Sequence, residues 1–72
     1  MYGRYTVVTP GYSRDIRYVY ENAYVFPSDS GALHVLVKSA EGEELVAIYA
    51  AGQWKNVYRT VDGHGHDVMS TT

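Results

Sequence analysis

No stretch of this sequence carries apolar residues at i, i+3, i+4 and i+7 over ten or more positions, so an amphipathic helix has nowhere to form. Turn residues instead cut the chain into short runs rich in Val, Ile and Tyr, which is strand chemistry. Residues 5–9 make the first run and Pro10-Gly11 ends it. Residues 16–20 follow a loop of Gly11-Tyr12-Ser13-Arg14-Asp15, and Glu21-Asn22-Ala23 breaks them from Tyr24-Val25-Phe26. Pro27-Ser28-Asp29-Ser30-Gly31 is the clearest turn, since proline fixes φ and glycine accepts a positive one. Residues 33–39 and 44–50 flank a polar hairpin loop, Ala40-Glu41-Gly42-Glu43; Gly52 bends the chain, and residues 54–61 close the set. Residues 40–51 are the best helical candidate, but Gly42 interrupts them and Val46 and Ile48 favour a strand. The pattern predicts an all-β fold, a five- or six-stranded antiparallel meander forming a curled sheet or small barrel. From Asp62-Gly63-His64-Gly65-His66-Asp67 onward apolar periodicity is lost, which predicts one β domain over residues 1–61 and a flexible C-terminal tail over 62–72.

Size sets the next constraint. A chain of 72 residues removes only about 60% of its unfolded surface from water on folding. The sequence has no cysteine, so neither disulfides nor thiolate zinc sites supplement the core. Leu33, Val35 and Val37 alternate with His34, Leu36 and Lys38, and Leu45, Ala47 and Tyr49 alternate with Val46, Ile48 and Ala50. Both faces of that hairpin are therefore apolar in part. Either the sheet curls on itself or a partner covers the second face, and a homodimer is the expected supplement.

Six Lys and Arg against eight Asp and Glu give a net charge of −2, which creates no field that draws the whole molecule to DNA or an anionic membrane. The first twenty residues hold Arg4, Arg14 and Arg17 against Asp15, so a locally basic face is expected there. The N-terminal residues show no apolar signal segment, and no apolar run approaches the ~20 residues that span a bilayer. The expected location is cytoplasmic.

Chemical signatures are sparse. His64, His66 and Asp67 are three ligand types within four positions, and two imidazoles one residue apart on a strand point the same way. The pair resembles part of the HxHxDH element of metallo-β-lactamase-like hydrolases, but the final histidine is missing and the chain is too short for that fold. Flanking glycines favour a tail, so no metal is expected. Ser28, Asp29, Ser30 and His34 supply the residue types of a nucleophilic site without its arrangement, and Pro-Ser-Asp-Ser-Gly has a full explanation as a turn. Glu41, Glu43 and Glu44 keep a hairpin loop soluble and discourage edge pairing. The expectation is a protein that is not an enzyme and takes no cofactor.

The composition does have one anomaly: eight tyrosines, at positions 2, 5, 12, 18, 20, 24, 49 and 58, with Phe26 and Trp54 as the other aromatics. Tyrosine buries an apolar body and leaves a polar tip wet, which suits thin cores and interfaces alike. Tyr18, Tyr20, Trp54 and Tyr58 are the expected anchors for a protein partner, with Arg17 and Arg59 making charge-assisted bonds at the rim. The alternative is a single-stranded nucleic-acid-binding β-barrel that stacks bases on the same rings, with Arg4, Arg14, Arg17, Lys55 and Arg59 around them. The acidic balance and the presence of only six cations favour tyrosines that fill a half-exposed β core and a dimer seam over a base-stacking platform, because phosphate contacts dominate nucleic-acid affinity. On an unbroken strand Trp54, Asn56 and Tyr58 share one face and Lys55, Val57 and Arg59 the other, which separates rings from cations and makes Trp54 a core or interface anchor unless a bulge after Gly52 re-aims it.

Residues 31–57, with Gly31-Ala32-Leu33, the polar hairpin, Val46-Ala47 and Ala51-Gly52-Gln53-Trp54-Lys55-Asn56-Val57, resemble the small uncharacterised all-β proteins of actinobacteria and their phages. The resemblance implies a compact phage-type accessory or inhibitor protein that binds another protein, and it brings no activity or cofactor.

Overall fold

The computed structural model describes residues 2–70. Six strands follow one another: β1 (Gly3–Thr9), β2 (Ile16–Pro27), β3 (Leu33–Ser39), β4 (Gly42–Tyr49), β5 (Asn56–Val61) and β6 (His64–Ser70). All pair antiparallel in a single sheet of order β4-β3-β2-β1-β5-β6. The fold is all-β, as the turn spacing predicts. Strands β1 to β4 form a meander, and the β5–β6 hairpin adds to the free side of β1. Among the described residues β4 pairs only with β3 and β6 only with β5, so the sheet is open rather than closed as a barrel.

The shape originates in β2. Its first half pairs with β1 and its second half, Ala23 to Pro27, pairs with β3; Ala23 alone faces both neighbours, Gly3 and Val37. The break expected at Glu21-Asn22-Ala23 is a bend inside one strand. Asn22 takes φ of 51°, a left-handed geometry that asparagine tolerates better than most residues, and the β1–β2 register slips between Gly3 and Tyr5. The Asn22 side-chain amide donates to the Lys38 carbonyl at 2.6 Å, which ties the bend to β3. An extra residue of this kind increases local twist, so β2 serves two parts of the sheet whose inner faces meet.

The core lies on that inner face. Tyr5, Val7 and Val57 from one part join Ala23, Val25, Leu33 and Val35 from the other, and Trp54 completes the cluster. Val7, Leu33, Val35 and Val57 are fully buried, each stabilising the fold by about 1.5–3 kcal/mol relative to exposure. Tyr20, Val37, Ala47, Tyr49 and Met69 pack around them.

Two further differences from the sequence reading have local causes. The tail expected from residue 62 is, over His64–Ser70, strand β6. Asp62 and Gly63 have φ of 53° and 81°, the paired positive values of a two-residue hairpin turn that Asp-Gly forms readily. Backbone pairing with β5 then orders residues that have no apolar alternation of their own. Thr71 and Thr72 lie outside the described residues. The second difference concerns residues 50–55, which carry the chain from β4 across to β5. Trp54 lies in this connection, before the strand begins at Asn56, so its direction is not tied to strand alternation. It enters the core together with Val57 rather than facing away from it.

Candidate protein-binding face

The six anchors expected from sequence do not form one surface. Trp54 is buried, and its indole N–H donates to the Gly31 carbonyl at 3.0 Å. It latches the β4–β5 connection to the β2–β3 turn, which is a core role and not that of an exposed anchor. Tyr18 and Tyr20 share the inner face, as their spacing predicts. Tyr20 and Tyr49 are joined hydroxyl to hydroxyl, and the Tyr18 and Tyr49 rings lie 5.9 Å apart. Burial first, and then the hydrogen bond to Tyr20, push the Tyr49 hydroxyl above its ordinary pKa. Arg59 stands opposite Tyr5 on that same inner face, with its Nε buried; a Cβ at Gly3 would come within 2.8 Å of it. Tyr58 and Arg17 belong to the outer face, opposite Thr6 and Val8. Tyr58 covers Gly65, where an added Cβ would lie 3.2 Å from the ring. Arg17 is exposed.

The serines and histidines are likewise placed by structural needs. Ser28 and Ser30 bond each other at 2.8 Å within the β2–β3 turn, whose backbone closes from Gly31 N–H to the Ser28 carbonyl at 3.0 Å. His64 and His66 share one face of β6, and among the described residues no three His, Cys, Asp or Glu side chains gather as a metal site.

What the structure does assemble is an aromatic stripe on the outer face of β2 and β3. Tyr2 packs against Tyr24 with centroids 6.3 Å apart, Tyr24 against Phe26 at 6.4 Å, and Phe26 against His34 at 4.9 Å with nearly parallel rings. Alternation puts Tyr24 and Phe26 on one side of β2, and the register sets them opposite Leu36 and His34. His34 in turn opposes Ile48 on β4, and Leu36 opposes Leu45. The result is one patch of Tyr24, Phe26, His34, Leu36, Leu45 and Ile48. Tyr24, Leu45 and Ile48 are 38%, 48% and 56% exposed and Phe26, His34 and Leu36 half-buried, so the described residues leave the patch open to solvent.

Charge sits at the Tyr2 end of the stripe. The Lys38 ammonium lies 5.3 Å from the Tyr2 ring centroid, and the Tyr2 hydroxyl donates to Glu43. At the centre His34 Nδ1 is buried without a hydrogen-bond partner among the described residues.

No protein-family model matches this chain. No curated protein and no solved structure matches it either. Its functional reading therefore rests on the geometry of this face. Sequence reasoning identified the apolar second face of the β3–β4 hairpin but placed the anchors elsewhere. The signal that finds the patch is the strand pair itself: Tyr24 and Phe26 alternate in β2, His34 and Leu36 in β3, and only their register makes them neighbours.

Proposed function

We propose that this chain is a small cytoplasmic interaction module, not an enzyme, that binds a protein partner through the outer face of β2, β3 and β4. The observation that carries the reading is the uncovered patch of Tyr24, Phe26, His34, Leu36, Leu45 and Ile48. Soluble monomers seldom leave contiguous apolar and aromatic surface open to water, and aromatic side chains are enriched at protein interfaces. The rings are held by one another before binding, which lowers the entropy lost when a partner docks. An accessory or inhibitor role, as the resemblance over residues 31–57 implies, fits a module of this size.

The placement of cations supports a protein partner over a single nucleic-acid strand. Arg4 pairs with Glu21 at 2.7 Å and Lys55 with Asp15 at 2.9 Å, while Arg59 points into the inner face. The cation at the stripe is Lys38, over Tyr2 at one end, whereas a stacking groove needs cations tracking the backbone along its rings. Affinity capture from cells with immobilised protein tests the reading, with Ile48→Asp and Tyr24→Ala as outer-face variants and Tyr18→Ala as the inner-face control. A specific partner lost with both outer-face variants and retained by the control is the expected result. Equal capture by all four forms would sink the proposal.

A further inference from the structure

The cations of the chain are Arg4, Arg14, Arg17, Lys38, Lys55 and Arg59, and all but the last have an evident environment. Arg4 and Lys55 sit in ion pairs with Glu21 and Asp15, and Lys38 lies over the Tyr2 ring. Arg14 and Arg17 are exposed and keep their hydration. Arg59 is half-buried on the inner face, and its guanidinium lies across Gly3 of β1, where a Cβ would meet Nε at 2.8 Å and Nη2 at 3.0 Å. Nε is buried and has no hydrogen-bond partner among the described residues. No described carboxylate pairs with the group either. Asp67 belongs to the outer face with Tyr58, and Glu44 stands opposite Val37 on the far edge strand. A guanidinium that gives up part of its hydration without gaining a counter-charge is costly.

The neighbouring strands add donors and no negative charge. Tyr5 opposes Arg59 on β1, and His66 opposes it on β6. His64, two residues from His66 and opposite Val61, shares that face by alternation. Both imidazoles are exposed.

We infer that this corner of the inner face, formed by Arg59, His66 and His64, binds a phosphate group. The planar guanidinium offers a fork of N–H donors that matches a phosphate in bidentate geometry. Its Nη atoms are neither buried nor hydrogen-bonded among the described residues, so the fork is open while Nε rests against the sheet. Contact with Gly3 already restricts the side chain, which lowers the entropy lost when an anion docks. The donors come from two strands and approach from different sides. A tetrahedral phosphate presents oxygens to all of them, whereas a planar carboxylate serves the fork alone. The net charge of −2 supplies no long-range attraction, so the ion is held by these local donors. A free phosphate ion and a phosphate ester share this chemistry. The site lies on the face opposite the aromatic patch and does not depend on the patch having a partner.

Titration of isotope-labelled protein with inorganic phosphate, at constant ionic strength and followed by nuclear magnetic resonance, tests the site. The amide resonances of Gly3, Arg59 and His66 are expected to move saturably with phosphate and much less with acetate. Arg59→Gln should weaken binding about tenfold or more. Arg59→Lys keeps the charge and the stem but loses the fork, so it should fold as the wild type does and still bind more weakly. His66→Gln, at an exposed position, should weaken binding roughly two- to fivefold, and Arg17→Gln on the outer face should leave it unchanged. Phenyl phosphate separates the two sources: tighter binding than inorganic phosphate assigns the group to a larger ligand, and equal or weaker binding assigns it to the free ion. Shifts that rise linearly with phosphate, that acetate reproduces, or that Arg59→Lys leaves unchanged show an adventitious ion only and overturn the inference.

Discussion

Tyr49 illustrates what a single residue gains from the fold. Its hydroxyl leaves water, meets Tyr20 and lies beside Tyr18, and each of these favours the neutral form. In the unfolded chain the group loses its proton near 10.0, and in the folded chain only at higher pH. The folded state therefore holds this proton more tightly. Its contribution is fully present below about pH 10 and is lost as the pH rises through the folded value. The denaturant midpoint of the wild type is expected to fall more steeply than that of Tyr49→Phe between about pH 9 and pH 11; parallel curves would show that Tyr49 has no such role. The tyrosine excess and the shared face of Tyr18 and Tyr20 are legible in the sequence by counting and alternation. That Tyr49 meets them is not, because the contact spans 29 positions and depends on how far the sheet curls.

At the scale of elements, the β4–β5 connection shows how one side chain can fix a segment that has no regular structure. Trp54 fills the inner face and bonds Gly31, and the Lys55 N–H donates to the Val8 carbonyl at 2.7 Å. Trp54→Ala is expected to cost about 3–5 kcal/mol, a large share of what a chain of 72 residues has, since its total stability is roughly 4–11 kcal/mol. Trp54→Phe, which keeps part of the ring volume and loses the indole bond, should cost less; urea denaturation of the two variants measures the difference. Equal, small losses would mean that the connection is held by its backbone bonds alone. Sequence alternation leaves Trp54 a core or interface anchor but sets it on the face opposite Val57, because it assumes a strand reaching back beyond Asn56. The Asp62-Gly63 turn, by contrast, was present in the sequence as a hairpin signal, but the polar composition after it concealed strand β6.

At the scale of the whole molecule, stability depends on strands that are far apart in sequence. Strand β1 lies between β2 and β5, and among the described residues it is the strand through which the meander pairs with the β5–β6 hairpin. Ending the chain after Val61 removes β6 and Met69, which packs on the core, and leaves β5 as an edge with one neighbour. Such a truncation is expected to lose about 2 kcal/mol or more and to broaden the thermal transition, as followed by calorimetry; an unchanged transition would restore the reading of residues 62–72 as a tail. The sequence by itself determined the all-β class, the turn at Pro27–Gly31, the faces of β3 and the partly apolar character of both faces of the β3–β4 hairpin. These follow from backbone sterics and the two-residue period, which act locally. The bulge at Val46 instead moved Leu45 from the side of Ala47 and Tyr49 to that of Ile48. Tertiary structure decided that β2 continues through Asn22, that Trp54 is core, that β6 exists and that Tyr24, Phe26, His34 and Ile48 form one face. Each of those depends on pairing register and sheet curl, which arise only when distant strands meet and bury a common side.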